Sequence, residues 1–150
     1  MGYIARGSFT TCANRKIKMR YIRVENEVIE QLLERIVFGY DGLIRNVTIK
    51  NLNSVEIVVS VQDMDVGNWT NLRFILDGLK EFKISQKFNQ NDIVLSPGGI
   101  KIKEILNLYF IDLQSSFKEI EDMNCISDFR ESDIYFCGKS LTWNFEPYSE

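Results

Sequence analysis

No histidine occurs anywhere in the 150 residues. Histidine is the commonest general acid or base and a frequent metal ligand, because its charge changes near neutral pH. Its absence removes Ser-His-Asp and Cys-His nucleophile arrangements, His-based zinc sites and the HExxH motif. Cysteine is scarce: Cys12, Cys125 and Cys137 are odd in number and widely spaced. That pattern fits neither a disulfide framework nor a four-cysteine zinc site, and it reads as free thiols in a reducing compartment. Proline occurs only as Pro97 and Pro147, and no Pro/Gly/Ser-rich linker divides the chain, so one domain over 1–150 is expected. No apolar run approaches the roughly 18 residues that a membrane-spanning helix needs. The N-terminus lacks the apolar stretch of a secretory signal, and Arg6 stands where a myristoylation signal needs Ser or Thr. A cytoplasmic protein without a membrane partner is the expectation.

What is present is ordinary for a globular domain: 45% hydrophobic and 26% charged residues. The net charge of −3 is unevenly distributed. Residues 1–18 carry Arg6, Arg15, Lys16 and Lys18 and no acid, and read either as an extension or as a leading strand. From Asp112 to Glu150, nine acids stand against Lys118, Arg130 and Lys139. Nucleic-acid affinity comes largely from neutralised phosphates, so this acidic part argues against a nucleic-acid partner and favours a basic protein.

Periodicity supplies the elements. Val24, Val28, Leu32 and Ile36, flanked by Ile29, Leu33 and Val37, predict a helix over about 25–37, with Gly39 as its stop. The period then falls to two. Residues 44–50 and 55–61 predict strands joined by Asn51-Leu52-Asn53-Ser54, with Val55, Ile57, Val59 and Val61 on one face. Residues 69–76 and 79–85 predict a second hairpin about Asp77-Gly78, with Phe82 and Ile84 inward. A short strand at 93–95 and a Ser96-Pro97-Gly98-Gly99 turn follow. Residues 100–113 fit a long strand better than a helix, and a short helix is expected around 116–123. Residues 134–137 and 141–145 predict a third hairpin about Gly138-Lys139. The sum is an α+β fold: an antiparallel β-sheet or two-layer sandwich with one N-terminal helix packed on it. Ten phenylalanines and two tryptophans are expected to supply much of the core.

Motifs for chemistry are weak. Ser96-Pro97-Gly98-Gly99 and Gly138-Lys139-Ser140 lack the spacing of phosphate-binding loops. Asp63-Met64-Asp65 resembles the start of a calcium loop, but Gly67 occupies the fifth position and no Glu closes the frame. Neither a cofactor nor a metal is expected, and no catalytic residue is assigned. Acids beside aromatics point instead to a contact surface for a basic protein. Its candidates are Tyr40, Asp41, Asp63, Asp65, Trp69, Asp128, Glu131 and Asp133.

Phe38-Gly39-Tyr40-Asp41-Gly42-Leu43-Ile44 after a helix, then Trp69 ahead of Leu72-Arg73-Phe74, then Leu79-Lys80-Glu81-Phe82, form a pattern over about 25–85. The pattern resembles a set of small bacterial β-rich proteins that includes immunity proteins of contact-dependent or polymorphic toxin systems. Relatives often carry His where Tyr40 stands, so no histidine role carries over, and no binding residue is transferred. The resemblance implies an immunity-type protein; the missing catalytic and cofactor motifs and the acidic stretch from Asp112 to Glu150 give the expectation its form, a non-catalytic inhibitor that blocks a toxin, such as a basic nuclease, through an acidic surface. The residues leave two alternatives open: a β-sandwich that binds a small molecule or carbohydrate, or a self-associating structural domain.

Overall fold

A computed structural model describes residues 19–85, 94–95, 98–114 and 123–148. Expectations for residues 1–18, and for the segment 116–122 of the short helix, lie outside them. The first element, α1 (Met19–Arg35), starts earlier than its apolar periodicity predicts, because no Gly or Pro interrupts 19–35. Its buried stripe is Ile29, Leu32, Leu33 and Ile36, at i, i+3, i+4 and i+7. Val28, expected in that stripe, is 47% exposed. The helix ends in a tight turn, Val37–Gly39, whose residues have φ of 53°, 55° and 74°.

Among the described residues, eight strands follow in two antiparallel sheets. Sheet 1 has the order β1 (Leu43–Lys50), β2 (Ser54–Asp63), β3 (Asn68–Asp77), β8 (Ser140–Glu146). Sheet 2 has the order β4 (Glu81–Ile84), β7 (Ile134–Gly138), β6 (Leu108–Asp112), β5 (Lys101–Ile105). The α+β, antiparallel character read from the sequence is therefore the observed one. The first hairpin also stands, with Lys50 paired to Ser54 across the Asn51-Leu52 turn.

The second and third expected hairpins do not form. β3 pairs with β2 and β8, β4 pairs with β7, and β7 pairs with β4 and β6. Asp77-Gly78 and Gly138-Lys139 are corners at which two neighbouring strands pass together from one sheet to the other. The favoured two-residue hairpin turns need positive φ at the first central residue, and one of the two types at the second as well. Only Gly78 (φ 65°) has one among these four positions. The strands stay bonded through the bend: Lys139 N–H donates to Asp77 O and Lys80 N–H to Cys137 O, both at 2.8 Å.

Residues 100–113 are two strands, not one. Leu106 and Asn107 reverse the chain with φ of 55° and 65°, a hairpin that a leucine conceals in the sequence. Val94, expected in a strand, makes an isolated bridge to Leu43. A five-residue helix, α2 (Ile126–Arg130), precedes β7.

One cluster joins α1 to both sheets, drawing Val55, Ile57, Val59, Val61, Leu72, Phe74 and Leu76 from sheet 1 and Ile102, Ile111, Ile134 and Phe136 from sheet 2. A second cluster, Ile105, Phe110, Met123, Phe129 and Cys137, lies between the other face of sheet 2 and α2. Sheet 2 is therefore apolar on both faces at its centre. Of the expected aromatic core, Phe74, Phe110, Phe129 and Phe136 are fully buried, each worth roughly 1.5–3 kcal/mol. Phe38 is exposed, Phe145, Trp69 and Trp143 are half-buried, and Phe9, Phe88 and Phe117 lie outside the described residues. Phe82 and Ile84 sit on the predicted face, opposite buried Phe136 and Ile134. They nevertheless remain 38% and 50% exposed, because β4 is an edge strand.

Candidate functional site

Alternation along β2 and β3 sends Glu56, Ser60 and Gln62, with Trp69, Asn71 and Arg73, to the solvent side of sheet 1. Register places Ser60 opposite Asn71 and Gln62 opposite Trp69. Across the β1–β2 pairing the register slips between Ile44 and Asn46, leaving Arg45 as an extra residue. A bulge re-aims its side chain. Arg45 Nε donates to Ser60 Oγ, which donates to Asn71 Oδ1, both at 2.7 Å. Arg45 Nη2 donates to Tyr148 Oη at 3.1 Å, and its guanidinium lies 5.7 Å from the centre of that ring. The rings of Tyr148 and Trp69 lie 6.5 Å apart at 52°.

β1 and β8 are opposite edges of sheet 1, three strand spacings or roughly 14 Å apart. Arg45 from one edge and Tyr148 from beyond the other therefore clasp over the middle strands. That clasp explains why Ser60, on an outer face, is completely buried. Beside it, Arg73 reaches Glu146 on β8 and Glu56 on β2, and Glu56 also meets Lys50. Hydrogen bonding to Lys50 holds Glu56 below the usual carboxylate range, and hydrogen bonding to Arg73 does the same for Glu146.

Five of the eight sequence candidates gather at this end of sheet 1, in differing states. Asp63, buried at the end of β2, takes a two-pronged ion pair from Arg35 of α1 at 2.9 Å per contact. The Arg35 bond pulls its pKa down against the cost of burial. Asp65 is exposed and 3.2 Å from Arg35 Nε. The Arg35 guanidinium also lies 3.9 Å from the centre of the Phe145 ring, tying α1 to β8. Asp63 thus locks the helix to the sheet, while Asp65 faces solvent. Tyr40 and Asp41 are exposed on the turn after α1, with Asp41 at φ 61°, and Trp69 is half-buried beside Tyr148.

The other three candidates lie around α2. Asp128, the third residue of α2, accepts the backbone N–H of Asn124 at 2.9 Å and of the N-cap residue Cys125 at 3.0 Å, one half of a capping box. Glu131 is exposed and Asp133 is half-buried. Nearby, Asp112 is completely buried. It accepts Ser132 Oγ–H at 2.6 Å and Gln114 N–H at 3.0 Å. Burial pushes its pKa up to about 6, opposed by those two hydrogen bonds and by Lys101 across the register.

An open groove of about 520 Å³ runs between α2 and sheet 2. Leu108, Phe110, Ile126 and Cys137 supply its apolar lining, and Lys80 and the Glu81–Arg130 ion pair its charges. Burial first, then the nearby Glu81 charge, push the Cys137 thiol up to about 12, so it is protonated at neutral pH and a poor nucleophile. Cys125 is disulfide-bonded, which corrects the reading of every cysteine as a free thiol. Among the described residues, no helix is long and apolar enough to cross a membrane, and no group of three or more acids or cysteines is placed to hold a metal ion.

Arg45, Ser60, Asn71 and Asp112 carry no motif that marks them in the sequence. The bulge that aims Arg45 becomes visible only once the register is known. Set beside known proteins, the chain matches no family model, no curated protein and no solved structure. Its class is defined by its fold alone, an α+β protein of two antiparallel sheets joined at a shared corner.

Proposed function

We propose that this chain is a non-catalytic protein-binding domain of the inhibitor or immunity kind, and that its contact surface is the end of sheet 1 around Trp69, Tyr148 and Arg45. The observation that carries the reading is the clasp. It presents a tryptophan, a tyrosine and an arginine, the types enriched at binding hot spots, already held in place by Ser60 and Asn71. Side chains fixed before contact lose less freedom on binding. The exposed acids Asp41 and Asp65 lie at the same end, and Glu27, Glu30 and Glu34 line the solvent side of α1. Those charges favour a basic partner such as a toxin nuclease.

The test uses the full chain as bait in lysate of its source cells, beside Arg45→Ala and Tyr148→Ala. One stoichiometric basic protein held by the native chain, and lost from both variants while they keep their native circular dichroism, supports the proposal. A partner held equally by all three baits sinks it. The groove beside α2 favours a second reading, because 520 Å³ falls within the roughly 300–1,000 Å³ of small-molecule sites. A ligand carried through purification and displaced by Phe110→Trp would shift the weight there.

A further inference from the structure

We propose that the groove between α2 and sheet 2 binds a singly charged amphiphilic anion, an apolar chain ending in a carboxylate, with Lys80 meeting the head and Leu108, Phe110 and Ile126 the chain. The inference rests on the second reading, that the groove takes a small molecule, and it names the class of ligand. The floor of the groove is apolar and neutral. Phe110 and Cys137 are buried there, and Leu108 and Ile126 are half-buried. Burial keeps the Cys137 thiol protonated, so the floor sets no negative charge against an anion. An apolar chain laid on it removes surface of the ligand and of the protein from water together.

The charge of the head follows from how the three charged side chains at the groove are used. Arg130 Nε and Nη2 donate to the two carboxylate oxygens of Glu81 at 2.8 and 3.1 Å, so that pair is neutral as a unit. Lys80 is used differently. Its backbone N–H donates to Cys137 O at 2.8 Å, which roots the residue beside the floor. Its ammonium has no hydrogen bond or ion pair among the described residues. That ammonium lies near enough to the floor to favour the Cys137 thiolate, against the larger effect of burial. The groove therefore carries one unspent positive charge, on a chain whose net charge is −3. A single ammonium is a point charge that suits a monoanionic head, whereas a phosphate is matched better by a guanidinium fork. A cationic amphiphile would meet Lys80 by repulsion.

Titration calorimetry of the full chain with decanoate, kept below its micelle concentration, tests the assignment. Decyltrimethylammonium supplies the same chain with the opposite head. Decanoate is expected to bind one to one and to shift the methyl NMR resonances of Leu108 and Ile126. Lys80→Glu is expected to weaken decanoate about tenfold and to strengthen decyltrimethylammonium. The melting temperature of the variant separates lost binding from lost folding. Decanoate held equally by Lys80→Glu, or matched by decyltrimethylammonium on the native chain, overturns the anion, while the methyl shifts still support the groove as a site. Binding that leaves those methyls unmoved, or no binding of either amphiphile, overturns the groove reading as well.

Discussion

Asp112 sits in an environment that opposes what its side chain requires. A carboxylate taken wholly out of water destabilises its charged form, and two hydrogen bonds with a lysine nearby offset that only in part. The folded state therefore holds this proton more tightly than the unfolded chain does. Stability from the bound proton is complete below the unfolded pKa, near 4, and is lost as the pH rises through about 6. A shift of about two pKa units amounts to on the order of 3 kcal/mol. Half-buried carboxylates paired with cations, Glu56 and Glu146 among them, contribute the opposite slope. A comparison with Asp112→Asn isolates the one group. The stability of the native chain relative to that variant is expected to fall by about 2 kcal/mol between pH 4 and pH 6.5 in urea unfolding. A difference independent of pH would contradict the assignment. Two sequence candidates change meaning at this scale. Asp63 and Asp128 are used up inside the fold, by Arg35 and by the start of α2, whereas Asp41 and Asp65 stay available to a partner.

Among the elements, turns decide most of the outcome. The first hairpin was legible because Asn51 and Asn53 mark its turn. The β5–β6 hairpin was not, because Leu106 holds a left-handed conformation for which leucine has no preference. The turn after α1 does the same with Val37 and Phe38. Ile100 N–H donates to Phe38 O at 2.8 Å, and Gly99 lies so near that a Cβ there would stand 2.1 Å from that oxygen. Packing from a distant segment thus fixes the loop that carries Tyr40 and Asp41. Leu52 offers a clean test of such local strain, being left-handed (φ 54°) and 73% exposed. Leu52→Gly creates an Asn-Gly turn and is expected to stabilise the chain by about 0.5–1 kcal/mol, a rise of a few degrees in melting temperature. A fall in melting temperature would mean that the turn is not under strain.

For the whole molecule, the corner sets the architecture. Two paired strands bend there together, and the close crossing needs the absence of a side chain at Gly138. A Cβ at that position would lie 2.7 Å from Leu76 Cγ and 2.9 Å from Asp77 O. Gly138→Ala is expected to cost about 2–3 kcal/mol in chemical denaturation, since neither neighbour can withdraw without opening the pairing. A plain hairpin turn would accept alanine readily, so a neutral result would argue against the crossing.

The sequence by itself determined the classes of element and their faces. Period-two alternation in 55–61 and the apolar stripe ending at Ile36 report which side of a segment avoids water, and that depends on neighbours along the chain. It also determined that histidine chemistry is absent. Only the tertiary structure decided which strands pair, since Asp77-Gly78 carries the same local chemistry whether it closes a hairpin or turns a corner. The candidate surface divides in the same way. Asp41 and Asp65 were legible as exposed acids, and Trp69, half-buried in the fold, as an aromatic beside them. The clasp of Arg45 over Ser60 and Asn71 to Tyr148 joins positions up to 103 residues apart, and a contact of that range has no local signature.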